Sequence, residues 1–308
     1  MTDHSESRRK VLRGALAASV SAIASATPGT EALARALNVS FTHGVASGDP
    51  LADRVILWTR AVAAEGAGDF FLYWSVSEQA DMRRPITGGL LRASADNDWC
   101  CKVDASGLQP GRLYYYQFVY RDRRSPVGIT RTLPVGDVSN IKLAFFSCSN
   151  HPKGFFNVYR EAARRDDLNA VLHLGDYLYE YGPTGYETLG LRLGRNSLGQ
   201  TVTQPRIDQL SPRNEIVSLT DYRARFALYR SDPDLQELHR KNAWITVWDD
   251  HESTNDSWRN GAENHQPATE GPWEVRLQAS ARAYNEWMPI RTASDGNLLR
   301  ISRAFDFG

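Results

Sequence analysis

The chain has 308 residues, of which 42% are hydrophobic, and 36 basic side chains balance 36 acidic ones. That length is sufficient for two domains, each with its own core, and the composition is ordinary for a globular protein. The balanced charge excludes a strong electrostatic footprint for a nucleic-acid scaffold or an anionic membrane, so we expect neither as a partner.

Residues 1–36 have the pattern of an export signal. A basic segment that contains Arg8 and Arg9 precedes an uncharged stretch of small and apolar residues, and Ala-x-Ala sites follow it. The paired arginines indicate the twin-arginine type, which predicts contact with the twin-arginine export machinery and a periplasmic or secreted location. A surface amphipathic helix is the alternative. The stretch is too short and too weakly apolar for a stable membrane span.

Residues 40–137 are predicted to form an antiparallel β-sandwich domain. Short apolar runs are separated by turn residues, without a helical period between them. The turn before the aromatic run at 113–120 resembles the tyrosine corner of such sandwiches. We interpret His43 and Asp49 as turn and surface residues. The predicted strands are 54–60, 70–76, 99–103, 113–120 and 129–133.

Residues 138–308 are predicted to form an α/β domain. A strand, a helix and a second strand follow one another, which predicts a right-handed βαβ unit with parallel strands. Two helices then lead to a third strand, and a further helix precedes the start of another strand. Residues 181–216 are rich in Gly, Pro, Asn and Gln and form a long excursion. The predicted elements are strands 141–146, 170–174, 243–248 and 298–307 and helices 155–165, from about 220, 234–240 and 273–287.

Each of the first three α/β strands ends in polar side chains that can bind metals. Cys148 follows the first strand, Asp176 and Tyr179 follow the second, and Asp250 and His251 follow the third. Because open α/β sheets bind ligands at the carboxyl ends of their strands, we expect these groups to share one site. Thiolate, carboxylate, phenolate and imidazole are all metal ligands.

This set of side chains suits phosphoryl transfer to water at a pair of metals, with a metal-bound hydroxide as the nucleophile. Asp176 is placed to bridge the two ions. Tyr179 and Cys148 would add anionic ligands for a trivalent ion such as Fe(III), and Asp250 would bind a second, harder ion. His251 could stabilise the transition state or protonate the leaving group.

Other polar residues near these strands have open interpretations. Asp249 is either a metal ligand or a carboxylate that orients His251 from behind. His173 is more simply a core or supporting histidine than a ligand. Three further histidines are expected in solvated positions, and they are His151, His239 and His265.

The three strand-end motifs also resemble those of a known family. Ser147-Cys148-Ser149, the Gly-Asp-Tyr-x-Tyr-Glu run at 175–180 and the Trp-Asp-Asp-His-Glu run at 248–252 are similar to the alkaline phosphatase D (PhoD-like) branch of the calcineurin-like metallophosphoesterases. This resemblance implies an N-terminal β-sandwich followed by a metallophosphoesterase domain. It also implies an exported alkaline phosphatase and phosphodiesterase that acts on phosphate esters, and some members act on phospholipids as phospholipase D-like enzymes.

The resemblance further implies Fe(III) and Ca²⁺ as cofactors. Cys148, Asp176 and Tyr179 would hold the iron, with Asp176 as the bridge, Asp250 would hold calcium, and His251 would face the phosphate. Later strands of the family supply further ligands that have no counterpart after His265. The chain is therefore expected to be C-terminally truncated or completed by another chain.

Two other functional classes stay open. A thiol hydrolase would use Cys148 as nucleophile with His151 or His173 as base, but it would leave the carboxylates without a role. A surface adhesion or carbohydrate-binding protein, or a non-catalytic fragment, would rely on the sandwich and need no metal.

Overall fold

The computed structural model describes residues 38–63, 67–185 and 206–308. The predicted export signal lies outside these residues, and so do residues 186–205 of the predicted excursion. Within the described part of the chain, helices are too short or too polar to cross a membrane.

The described strands and helices follow the predicted order closely. The strands are β1 (Val45–Gly48), β2 (Arg54–Arg60), β3 (Phe70–Ser77), β4 (Pro85–Ala93), β5 (Cys100–Ser106), β6 (Leu113–Tyr120), β7 (Arg123–Arg124), β8 (Gly128–Arg131), β9 (Leu143–Phe146), β10 (Ala170–His173), β11 (Ala243–Thr246), β12 (Ser257–Trp258) and β13 (Gly261–Ala262). The α-helices are α1 (Asn157–Ala163), α2 (Leu219–Arg230), α3 (Pro233–Lys241), α4 (Pro267–Glu270) and α5 (Trp273–Trp287).

A six-stranded mixed sheet organises the described part of the molecule, with strand order β5-β2-β1-β11-β10-β9. Strands β1, β11, β10 and β9 are parallel, whereas β2 and β5 run antiparallel to their neighbours. The pairing of β9 with β10 around α1 confirms the predicted βαβ unit. Because β1 pairs with β11 at Ser47 and Ala243, this sheet runs across the predicted boundary between the two segments.

A second, antiparallel sheet has the order β4-β3-β6-β7, and β8 pairs with the other part of β6. The backbone N–H of Gln109 donates to the Tyr114 hydroxyl at 2.8 Å, as the tyrosine-corner resemblance predicts. The sheet-rich N-terminal part is therefore present. Its strands are divided, however, since β1, β2 and β5 belong to the mixed sheet. The domain boundary at 137 stays a prediction.

The helices pack on one face of the mixed sheet and enclose an aromatic core. Ser218 and Asp221 form a capping box at the start of α2, and Asp232 accepts the N–H groups of Asp234 and Leu235 at the start of α3. These caps fix the residues at which α2 and α3 begin, and α3 then leads into β11. The largest buried core side chains include Trp58, Tyr177, Phe226, Trp244 and Trp287.

The predicted strand at 298–307 is wrong. This segment forms no strand among the described residues, and its contacts are made by side chains instead. Arg303 donates to the Asp49 carboxylate at 2.8 Å and to the Thr246 carbonyl at 2.7 Å. Asp49 is consequently buried rather than on the surface, and it also accepts the backbone N–H of Arg291 at 2.6 Å.

Candidate metal centre

The carboxyl ends of β9, β10 and β11 meet at one edge of the mixed sheet because the three strands are parallel. The chain turns sharply after the first two of them. Cys148 and Asp176 both adopt left-handed backbone conformations, with φ of 59° and 55°. The two turns are bonded to each other, since Cys148 N–H donates to the Gly175 carbonyl at 3.2 Å and Ser149 N–H to the Asp176 carbonyl at 2.8 Å.

Gly175 allows the turns after β10 and β11 to touch. Its φ is +106°, and a Cβ at this position would lie 2.4 Å from the backbone nitrogen of Asp249. Such a contact is impossible without moving backbone, so a side chain here would push the two turns apart. The absent side chain therefore brings Asp176 beside the Asp249 to Glu252 turn.

The structure brings the predicted site residues together. One ligand atom from each of Asp176, Asp250 and His251 lies within 4.8 Å of the others. The Cys148 Sγ and the Tyr179 hydroxyl each reach Asp176 Oδ2, at 3.3 Å and 3.2 Å. A thiol, two carboxylates, a phenol and an imidazole thus converge on one point.

The remaining oxygen of Asp176 supports metal binding. Asp176 Oδ1 is buried and has no hydrogen-bond partner in the part of the chain that the structure describes. A buried carboxylate oxygen without a partner carries a free-energy cost that a coordinated cation removes. The donor set and this oxygen both fit a metal ion.

The electrostatics of the site lead to the same conclusion. Burial raises the pKa of Asp176, and the nearby charges of Asp250 and Asp249 raise it further against the opposing effects of His251 and Cys148. Burial also raises the pKa of Tyr179, with contributions from Asp176 and Cys148. Negative charge is therefore crowded here, and a cation would favour the ionised forms.

Glu180 is a buried carboxylate that orients His251, a role that the sequence analysis did not assign. Its Oε2 lies 2.8 Å from His251 Nδ1, and its Oε1 accepts from the Thr254 hydroxyl and the Asn255 N–H. Burial lowers the pKa of His251, but the hydrogen bond and charge of Glu180 outweigh it and raise that pKa to about 9. The carboxylate that holds His251 is thus Glu180 and not Asp249.

Glu252 joins the two turns through the backbone. Its carboxylate accepts the N–H groups of Asp176 at 3.0 Å, Tyr177 at 2.6 Å and Asp249 at 2.9 Å. Burial raises the pKa of Glu252 to about 8, whereas these three donors favour its ionised form. Its position at the end of the Trp-Asp-Asp-His-Glu run was the only signal in the sequence for this role.

His151, His239 and His265 are all buried, so the expectation of solvated roles for them is wrong. Each lies where a helix or a loop is folded inward against aromatic rings. His173 is buried as expected, and its Nε2 lies 3.0 Å from the hydroxyl of Ser149, the residue that follows Cys148. Burial lowers the pKa of His173 to about 3, so it supports the site as a neutral ring.

These contacts weigh against a thiol hydrolase. Cys148 is exposed and donates to Asp176, and no imidazole among the described residues is bonded to its sulfur. A nucleophilic thiol needs an adjacent base to form its thiolate. Asp249, the other open case, is exposed and close enough to raise the pKa of Asp176, and its part in metal binding stays a prediction.

Comparisons with known proteins agree on one family. The family described as PhoD-like phosphatase matches residues 143–308, and its N-terminal domain family matches residues 25–134. Alkaline phosphatase D of Bacillus subtilis (strain 168) is 35% identical over 280 residues, which are 87% of this chain and 45% of that protein. A solved structure of PhoD is 34% identical with a TM-score of 0.74, over 87% of this chain and 50% of its own. The chain therefore spans about half the length of these relatives.

Proposed function

This chain belongs to the PhoD-like phosphatase family, and on that premise we propose that it hydrolyses phosphate esters at a metal centre built from the three strand ends. The observation that carries this proposal is the convergence of Asp176, Asp250 and His251 beside Cys148 and Tyr179. The Cys148 thiol, which is the nucleophile of the alternative, has no imidazole bonded to its sulfur among the described residues.

We assign the ligands by the chemistry of their donor atoms. Cys148, Asp176 and Tyr179 would hold Fe(III), because a thiolate and a phenolate suit a trivalent ion, and Asp250 would hold Ca²⁺ through oxygen. Asp176 would contact both ions. When bound, the metals supply Lewis acidity toward the phosphoryl oxygens and lower the pKa of water.

His251 acts on the substrate from the side of the turn after β11. Because His251 Nδ1 is hydrogen-bonded to the Glu180 carboxylate, Nε2 is the ring nitrogen that is left to face the phosphate. Glu180 raises the pKa of the ring and so favours its protonated form, which can donate a proton to a phosphoryl oxygen or to the leaving alcohol.

The relative named alkaline phosphatase D supports alkaline phosphatase activity (EC 3.1.3.1) as the specific reaction. The phosphodiesterase activity that the sequence resemblance implies stays part of the proposal. Export by the twin-arginine route, and with it a periplasmic or secreted location, follows from residues 1–36 and stays part of the proposal. Such an enzyme would release phosphate from esters outside the cytoplasm.

The test is hydrolysis of 4-nitrophenyl phosphate by the chain after reconstitution with Fe(III) and Ca²⁺. The variant Asp176→Ala should lose metal and at least about a thousandfold in rate, because it removes the carboxylate shared by both ions. Asp167→Ala is the matched control, since Asp167 is an exposed carboxylate paired with Lys142. Equal activity in the parent and the Asp176→Ala variant would refute the proposal.

A further inference from the structure

A cleft of about 540 Å³ is lined in part by residues of the turn that also carries Asp250 and His251. It lies between the turn after β11, the β12–β13 hairpin and α5. Its volume falls in the range of small-molecule sites, which are concave and mostly apolar with a few polar groups. No role described above accounts for it.

The cleft is connected to the candidate ligands through its walls. Asp249 and Glu252, which flank the Asp250–His251 pair, line one side. The hairpin wall is joined to the same turn, because the Asp256 N–H donates to Asp250 Oδ2 at 2.5 Å. The cleft wall and the candidate ligands Asp250 and His251 therefore share one turn.

Three tryptophans line the cleft: Trp248, Trp258 and Trp273. Trp258 is 57% exposed, and it packs against the hairpin backbone because Gly261 has no side chain: a Cβ there would lie 2.9 Å from Trp258 Cζ2. The Trp273 Nε1 donates to the Arg259 carbonyl at 3.3 Å, which joins α5 to the hairpin. Leu277 and Ala281 complete an apolar wall.

The charges in the cleft select against a second anionic group. Asp249 and Glu274 contribute exposed carboxylates to its lining, and Arg259 is the basic residue among the lining residues. An uncharged planar ring would bury apolar area against the indoles, whereas another phosphate or carboxylate would be repelled.

We propose that this cleft binds the planar aromatic ring of an aryl phosphate ester whose phosphoryl group lies at the metal centre. The proposal rests on the proposed function and adds a substrate class to it. Trp258 contacts the ring and is a specificity-determining residue. It takes no part in the bond cleavage.

The experiment compares two non-hydrolysable ligands, phenylphosphonate and methylphosphonate, by calorimetry on the metal-loaded chain. The parent should bind the phenyl compound about tenfold more tightly or better, and Trp258→Ala should remove most of that difference while leaving methylphosphonate unchanged. Trp258→Phe should restore part of it. Phe71→Ala on β3, where the side chain is 60% exposed, is the control and should change neither affinity.

Equal affinities for the two phosphonates in the parent, or a phenyl preference that survives Trp258→Ala, would overturn the proposal. Binding of 4-nitrophenol by the metal-free chain separates it from the proposed function. If Trp258→Ala weakens that binding while no phosphonate binds, the aromatic cleft stands and the metal-centre function fails. If the chain hydrolyses phosphate esters but shows no preference for the phenyl group, the metal-centre function stands and the aromatic cleft fails.

Discussion

Two buried glutamates, Glu180 and Glu252, support the turns of the candidate metal centre in different ways. Glu180 faces an imidazole and holds its Nδ1, so it determines which nitrogen of His251 is available to a substrate. Glu252 accepts three backbone N–H groups and fixes the positions of the turns themselves. A supporting residue can therefore orient one side chain, as Glu180 does, or hold the backbone that carries several side chains, as Glu252 does.

Replacing Glu180 by Gln should reduce kcat about ten- to a hundredfold while metal content and KM stay close to the parent values. The amide keeps the shape but removes the charge that stabilises a protonated His251. Steady-state kinetics with metal analysis of the same samples gives the measurement. Thr254→Val is the matched control, because it removes one partner of Glu180 and keeps the carboxylate. An unchanged kcat in Glu180→Gln would show that His251 does not need this partner.

At the scale of elements, the site depends on how closely the turns after β10 and β11 approach. The parallel ladder places their starts side by side, and Gly175 lets the backbones touch. The metal-binding side chains occupy the first residues of each turn, so a small separation of the turns would spread the donor atoms.

Gly175→Ala should destabilise the protein by about 2 kcal/mol or more and weaken metal binding, because the new Cβ would collide with Asp249 in addition to the strain of a positive φ. Gly296→Ala is the control, since Gly296 also has a positive φ but its Cβ would meet nothing within 4 Å. That variant should lose only about 1 kcal/mol. Urea denaturation of both variants provides the comparison, and equal losses would show that the close approach is unimportant.

The strand-end site was predictable because it depends on local signals. A buried apolar run followed by Gly175-Asp176 or Asp249-Asp250 identifies a strand and its exit, and parallel pairing then gathers the exits. The partners of β1 were not predictable, because its pairing with β11 joins residues almost two hundred positions apart. The role of Glu180 was also hidden, since nothing in the sequence tells which way a loop carboxylate points.

At the scale of the whole molecule, burial of neutral histidines makes the fold sensitive to acid. Burial, with the charges of Arg60 and Arg230, lowers the pKa of His43 to about 3, although its ordinary value is about 6.5. The folded chain therefore binds fewer protons than the unfolded chain between these values. The stability that the neutral ring contributes is complete above about pH 6.5 and is lost as the pH falls toward 3.

The variant His43→Gln should show a shallower fall in the free energy of unfolding between about pH 6 and pH 4 than the parent does. The expected difference in slope is about 1.4 kcal/mol per pH unit, which corresponds to one proton. Urea titrations at several pH values measure it. Thr42→Val removes the hydroxyl beside His43 and keeps the titrating ring, so it should retain the parent slope. A slope in His43→Gln identical to that of the parent would contradict the assignment.

If the three strand ends form a metal centre, the chain should carry bound metal, which a measurement of metal content detects. The metal content is measured by plasma emission spectrometry on protein purified without a histidine tag, and a visible absorption spectrum is recorded on the same protein. We expect the purified chain to contain stoichiometric iron and calcium. Its spectrum should show a broad tyrosinate-to-iron band that Tyr179→Phe abolishes. A colourless chain that takes up neither metal on reconstitution would contradict it.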